Sequence, residues 1–214
     1  MATKIGIIGS GIVGQTLAKG FLKHGYAVMI GTNTPAKRAD LEVRTAARVG
    51  SFEEAAKFGD LVVLATKGLA AAAALEAAGS ANLAGKTVID TTNPIAEAPP
   101  VNGVLRFFTS LDDSLMERLQ ALAPQAHFVK AFNSVGNACM VNPDFHGVKP
   151  TMFICGNEGA AKAAVTDILE RFGFDVEDMG AVEAARAIEP LCILWCIPGF
   201  RSNQWSHAFK LLKH

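Results

Sequence analysis

The chain lacks an excess of charge of either sign. Lys plus Arg and Asp plus Glu number 20 each in 214 residues, so the formal net charge is zero. With no Lys/Arg-rich run either, nothing drives it electrostatically toward nucleic acid or an acidic membrane. It also lacks a bilayer-length apolar run. The longest run after the N-terminus, Leu191 to Ile197, is far too short. The N-terminal run starting at Ile5 is broken by glycines, so no signal peptide is read there. Cysteine is scarce and unpatterned: Cys139, Cys155, Cys192 and Cys196 form no C-x-x-C pair and have apolar neighbours. They read as small buried hydrophobes, and Cys192 and Cys196, sharing a helix face, are a poor metal site. These absences point to a soluble protein of the reducing cytoplasm. No Ser/His/Asp constellation and no metal-spaced histidines are present, because His24, His127, His146, His207 and His214 are scattered. His127 opens a predicted strand and reads as structural, and His214 reads as a disordered end.

What the chain does have is a regular alternation. Half of its residues are hydrophobic, ample for a full core without disulfide or metal. Strands are expected at Lys4–Ile8, Ala27–Ile30, Ala47–Val49, Leu61–Ala65, Lys86–Asp90, His127–Phe132, Thr151–Cys155 and Asp175–Met179. Helices are expected between them, at Gln15–His24, Ala36–Ala46, from Ser51 to Gly59 behind an S-x-x-E capping box, and at Leu69–Ala78, Asp113–Leu122 and Glu158–Phe172. A last long helix is expected over Ala181–Ile197, ended by Pro198-Gly199. This order predicts an α/β Rossmann fold: a doubly wound parallel sheet over residues 1–180, with a short C-terminal helical extension over 181–214 packed on the same domain. Leu61 to Ala65 is apolar throughout, as for a strand buried on both faces. The segment 95–111 reads as a long functional loop. The run Ala70–Ala74 reads as a cluster of helix formers.

The first strand is followed at once by Gly9-Ser10-Gly11-Ile12-Val13-Gly14 and then by a helix. G-x-G-x-x-G in that context is a dinucleotide fingerprint. Gly9 permits the tight turn, Gly11 lets the backbone approach a pyrophosphate, and Gly14 lets helix and strand lie close. The end of the second strand selects the cofactor. An NAD site places an acid there, whereas this chain has Gly31-Thr32-Asn33-Thr34 and no acid from Gly25 until Asp40. Hydroxyl and amide donors, with Lys37 and Arg38 behind them, suit the 2′-phosphate of NADP(H). Later strand ends should reach the same crevice: Ala65-Thr66-Lys67, Thr91-Thr92-Asn93-Pro94 and Ala131-Phe132-Asn133-Ser134. Asn133 and Ser134 are the residues expected nearest the nicotinamide, with no certain catalytic group.

Four segments give the chain a family likeness: I-G-I-I-G-S-G-I-V-G at the N-terminus, G-T-N-T-P after the second strand, V-K-A-F-N-S-V from Val129 to Val135, and A-R-A-I-E-P-L from Ala185 to Leu191. The chain resembles the NADP oxidoreductase family that acts on the deazaflavin coenzyme F-420, and also the oxidoreductase domain of the STEAP metalloreductases, which uses a flavin. The resemblance implies that Gly9 to Val13 hold the pyrophosphate and that Thr32 and Asn33 meet the 2′-phosphate. It implies that Ala131 to Val135 approach the nicotinamide. The helix from Glu189 onward would wall a second-substrate pocket. Two positions bear on it. Relatives commonly have Arg where this chain has Asn33, and the position of Asn133 is often His in deazaflavin reductases but Asn in the metalloreductase domain.

Hydride transfer between a nicotinamide and a flavin-like ring needs stacking, orientation and dryness more than an acid or base. The resemblance implies F-420, FMN or FAD as the acceptor, and an apolar pocket lined by Phe107, Phe108, Met140, Trp195 and Phe200 is expected to hold it, with Arg201 and Trp205 at an anionic tail or a dimer partner. Two other functions fit the residues: a dehydrogenase or reductase of a small carbonyl or imine, and a non-catalytic NADP sensor. About 35 residues follow the last strand, too few for the helical second domain usual in carbonyl and imine enzymes. The expected partners are a small redox acceptor and a second copy of the chain, joined through the apolar C-terminal helix, with neither nucleic acid nor membrane.

Overall fold

The computed structural model describes residues 2–213, so the reading of His214 lies outside the described residues. Six strands form one parallel sheet: β1 (Lys4–Ile8), β2 (Ala27–Gly31), β3 (Arg48–Gly50), β4 (Leu61–Leu64), β5 (Thr87–Asp90) and β6 (His127–Lys130), in the order β3-β2-β1-β4-β5-β6. The strand order reverses between β1 and β4, where a doubly wound sheet opens a crevice. Helices α1 (Ile12–Lys23), α2 (Arg38–Thr45), α3 (Phe52–Phe58), α4 (Gly68–Ala78) and α5 (Leu115–Leu122) alternate with these strands. The chain is thus an α/β Rossmann protein, as its alternation predicted.

Successive residues of one strand enter different cores because side chains alternate across a pleat. In β4, Leu61 and Val63 join one apolar cluster with Ile5, Ile7, Phe21 and Phe172. Val62 and Leu64 join a second with Ile8, Leu75, Leu119 and Phe128 on the other face. α3 starts where the sequence placed it: the Ser51 hydroxyl accepts from Glu54 N–H and the Glu54 carboxylate from Ser51 N–H.

Two expectations need correction. The last two strands, β7 (Thr151–Ile154) and β8 (Asp175–Asp178), do not extend the main sheet. They pair with each other in a two-stranded parallel sheet around α6 (Gly159–Arg171). Among the described residues one antiparallel bridge, from Lys130 at the end of β6 to Cys155, joins them to the main sheet. The single helix expected over 181–197 is also divided. A 3₁₀ turn at Val182–Ala184 leads into α7 (Ala185–Ile188), and α8 runs from Leu191 to Ser202. Pro190 has no N–H to give to the preceding turn, so it caps α8 instead of lying within a helix. Pro198 falls inside α8, and the helix stops at Asn203, whose left-handed backbone (φ 54°) lets its N–H reach Gly199 O.

After α8 the chain runs as an extended strap. Phe209 O accepts from Thr151 N–H, and Lys210 pairs with Asp175. The 95–111 segment is an ordered excursion pinned by bridges Ile95–Phe107 and Val101–Val104.

Candidate functional site

The carboxyl ends of β1, β2, β4 and β5 border a cleft with two lobes. One, of about 450 Å³, is lined by Gly9, Ser10, Gly11, Asn33, Phe52, Ala65, Thr66, Lys67 and one face of α4. The other, of about 470 Å³, is lined by Gly11, Ile12, Val13, Ala65, Thr66, Lys67, Thr91, Thr92, Asn93 and the start of the 95–111 excursion. Gly11, Ala65, Thr66 and Lys67 belong to both and form the waist.

The three fingerprint glycines have different physical reasons. Gly9 sits at φ +128°, and a Cβ there would meet Ala65 O at 2.3 Å. A Cβ on Gly14 would meet Gly9 O at 2.1 Å, because α1 lies against the strand turn. A Cβ on Gly11 would meet nothing within 4 Å. The protein's own packing therefore asks for glycine at 9 and 14 but not at 11, where the open space is the cleft. Gly11 is also the N-cap of α1 and has no side chain over the helix's free amides.

The loop after β2 is organised by Thr32. Its buried hydroxyl accepts from Ser10 Oγ at 3.0 Å and from Thr34 N–H at 3.2 Å. Asn33 is exposed and reaches the first lobe. Lys37 is exposed, and neither it nor Arg38 lines the cleft. Arg38 is half-buried, 3.5 Å from Glu54 Oε2, and its buried Nε has no partner. Thr66 Oγ1 at the waist is likewise buried and unpartnered.

Of the residues expected to form the site, Gly9 to Val13, Asn33, Ala65, Thr66, Lys67 and Asn93 meet at the cleft. Gly14, Thr32, Pro94, Ala131, Asn133 and Ser134 are buried behind its wall. Asn133 is tied to the wall: Asn93 Nδ2 donates to Asn133 O at 2.8 Å, and Asn133 Nδ2 donates to Asn93 Oδ1 at 3.2 Å and to Ile188 O at 3.0 Å.

The aromatic pocket expected beside it is not formed. Phe108 packs on the core under Arg118, and Met140 is core. Phe107 borders a separate small cavity with Arg186 and Pro190. Trp195 is buried against Gly136, stacked on His207, and donates to His207 O at 2.8 Å. Trp205 lies over Gly199 and meets Phe200 edge-on, while Arg201 packs against Gly103. Trp195 and Phe200 lie on the proline-started α8 and face His207 and Trp205 of the strap. The residues that line the second lobe instead include Ile12, Leu69, Ile95, Ala96 and Glu97.

Sequence reading also missed Phe52, Ala70, Ala73, Ala74 and Ala77. The signal was there. Alanines at i, i+3, i+4 and i+7 share one helix face, and small side chains there leave a slot opposite Phe52.

A second missed cluster lies beneath the cleft. Lys130, wholly buried, donates to Asp90 Oδ2 at 2.6 Å and Thr92 O at 2.9 Å, and pairs with Glu189 Oε1 at 2.8 Å. Burial alone would lower the ammonium's pKa, but the two carboxylates outweigh it and raise the pKa, so Lys130 is charged. Glu189, expected to wall a pocket, borders the small cavity beside Phe107, not the second lobe, and its carboxylate joins this ion cluster and accepts from the first amides of α5. Burial pushes the Cys155 thiol up to about 12, which suits an inert core cysteine. The neighbouring Cys196 and burial raise the Cys192 thiol's pKa, and the neighbouring Cys192 lowers that of Cys196.

Among known proteins, a model of the family described as NADP oxidoreductase, coenzyme F-420-dependent, matches residues 4–94. A candidate F-420-dependent NADP-reductase from Arthrobacter sp. FB24 is 32% identical, with TM-score 0.92 over 99% of this chain and 100% of that one. Metalloreductase STEAP3 of Rattus norvegicus is 29% identical over 92% of this chain, which spans only 38% of that protein's length. An imine reductase from Aspergillus terreus, solved with NADPH4, shares the fold at 20% identity and TM-score 0.66, covering 91% of this chain and 60% of that one. No helix among the described residues is long and apolar enough to cross a membrane.

Proposed function

Since this chain belongs to the coenzyme F-420-dependent NADP oxidoreductase family, and is an NADP-dependent oxidoreductase by that membership, we propose that its cleft takes NADP(H) along both lobes and passes a hydride to or from a deazaflavin or flavin ring. The observation that carries this reading is the contrast among the glycines: Gly11 is free of every internal demand yet faces the waist of the cleft. Phosphate approach to the start of α1 supplies the missing reason.

Adenine lies in the slot between Phe52 and the alanine face of α4. Asn33 serves the 2′-phosphate, and the Lys37 and Arg38 side chains, which stand outside the lining, add positive charge from beside it. Gly9 to Val13 and Thr66 meet the pyrophosphate and its ribose. NADPH supplies the hydride from its nicotinamide ring. Ile12, Leu69 and Ile95 shield the second lobe from water, and Asn93 orients what lies there. No side chain among those lining the second lobe is arranged as an acid–base relay, and ring-to-ring hydride transfer requires none. Of the described residues, those up to 180 form the cofactor unit and those from 181 onward the extension that braces it. The exposed Leu194 and Phe200 of α8 support that helix as the contact of a homodimer.

Calorimetry with NADPH and NADH tests the cofactor assignment. NADPH binds at least tenfold more tightly, about 1.4 kcal/mol, and Arg38→Met removes most of that preference. Equal affinity would refute the 2′-phosphate assignment. Stopped-flow oxidation of bound NADPH by F-420, by FMN and by a panel of cyclic imines identifies the acceptor. Oxidation by the imines alone would overturn the ring-to-ring reading.

A further inference from the structure

We propose that Lys130 is a positioning residue: through a closed polar circuit it fixes the Asn93–Asn133 pair that backs the second lobe. This rests on the reading above, in which that lobe receives the reacting end of the cofactor.

The circuit runs through three separate parts of the chain. Lys130 ends β6 and lies in register with Asp90, which ends β5. Its ammonium has three N–H groups, and three oxygens surround it: Asp90 Oδ2, Glu189 Oε1 and Thr92 O. Asp90 Oδ1 accepts from Thr92 N–H at 2.9 Å and Thr92 Oγ1 at 2.7 Å, so residue 92 is gripped from both sides. Asn93 follows and exchanges hydrogen bonds with Asn133. Asn133 in turn donates to Ile188 O, and Glu189 closes the circuit back on Lys130. Thr92 and Asn93 are the members that line the lobe. Asn133 Oδ1 is the one buried oxygen of the pair without a partner.

The charges do not balance among themselves. One ammonium faces two carboxylates, each fully or almost fully buried. The remainder is offset by N–H and O–H donors: Thr92 N and Oγ1 on Asp90, and Leu115 N and Met116 N on Glu189. The two amides are the positive end of α5. A buried triad of this kind is a weak stabiliser compared with apolar residues of the same shape. Its specific effect is geometric. Only a group with three donors joins the end of β5, the end of β6 and the α7–α8 junction at one point, and the Asn pair spans the same three segments.

The test uses the full chain with Lys130→Met, and with the charge-neutral Asp90→Asn/Lys130→Met/Glu189→Gln, which leaves no unpaired carboxylate should the single variant fail to fold. Three quantities are read: NADPH affinity by calorimetry, the fluorescence enhancement of bound nicotinamide at saturation, and the exchange rate of the Asn133 side-chain amide in the protein alone. The expected result for a folded variant is an NADPH Kd within about threefold of wild type, a clear loss of nicotinamide enhancement, and amide exchange faster by about tenfold or more. A neutral triad that regains the wild-type melting temperature while keeping the loosened amide supports positioning. A neutral triad with wild-type enhancement and a protected Asn133 amide overturns it. Failure of the wild-type protein to bind NADPH would instead refute the cofactor reading, and the amide measurement on the protein alone would still decide the role of Lys130.

Discussion

The region of β1 to β4 and the region around β6 and α8 are held by different interactions. In the first, contacts are apolar and lie between elements of the first 64 residues: β1 on β2 and β4, α1 on β2, with glycines allowing close approach at Gly9 and Gly14. In the second, polar groups reach across the chain. Glu189 accepts from Leu115 N–H and Met116 N–H, 74 and 73 residues away, and Arg186 pairs with Glu117 across 69. The first region presents an open cleft, and the second sets the back wall against which that cleft is shaped. A dinucleotide site built this way keeps its phosphate end as a local motif and leaves its reacting end to long-range partners.

Substitutions at the glycines break the comparison most sharply. Gly9→Ala places a methyl group against Ala65 O at a backbone angle side chains rarely adopt, costing about 3 kcal/mol or more. A thermal melt should show a large drop or no folded protein. Gly11→Ala meets no protein atom. It should melt near wild type yet bind NADPH at least about tenfold more weakly by calorimetry. Similar melting losses in the two variants would mean that the cleft reading of Gly11 is wrong.

The next effect is on affinity alone. Ala73→Leu fills the slot opposite Phe52 from an exposed position. The expected loss of NADPH affinity is about tenfold, with an unchanged melting temperature. Unchanged affinity would move adenine out of that slot.

The smallest effect belongs to the second region. The Arg186 hydrogen bond, with help from Ser114, holds the Glu117 carboxyl below its ordinary 4.5 against the opposing pull of desolvation. A lowered folded-state pKa stabilises fully above the unfolded value and is lost as pH falls through the folded value. Arg186→Met should therefore lower the melting temperature slightly at pH 7, with the difference from wild type vanishing on acidification below 4.5. A difference that persisted in acid would show that Arg186 acts through packing.

The sequence made the first region readable because its signals are local: the β1 turn, the Ser51–Glu54 capping box, and the acid-free end of β2. It disclosed the second poorly for the same reason. Pro190 reads as a flaw inside one helix until the fold shows it starting α8. Trp195, Phe107 and Met140 are apolar residues near the expected site, and nothing local distinguishes a pocket wall from core. Lys130 closes an apolar strand, and its partners stand 40 and 59 positions away in the chain. Such partners become visible only when the sheet brings the ends of β5 and β6 side by side. The alanine face of α4 was legible but misread, since helix propensity explains alanine as readily as an emptied slot does.

The strap after α8 bears on how the molecule behaves among its own copies. An unpaired strand edge is a template for sticking to another chain. Along its outer side, β7 is covered at Thr151 by Phe209 and near Cys155 by Lys130. The remaining free side belongs to β8, only four residues long and studded with Asp175, Glu177 and Asp178, which Lys210, Lys213 and Lys162 neutralise. The small sheet is thus closed to edge-to-edge growth by backbone on one side and by charge on the other. Shortening the strap before Phe209 would uncover the Thr151 end of the apolar strand Thr151–Ile154 and leave its N–H free for another chain.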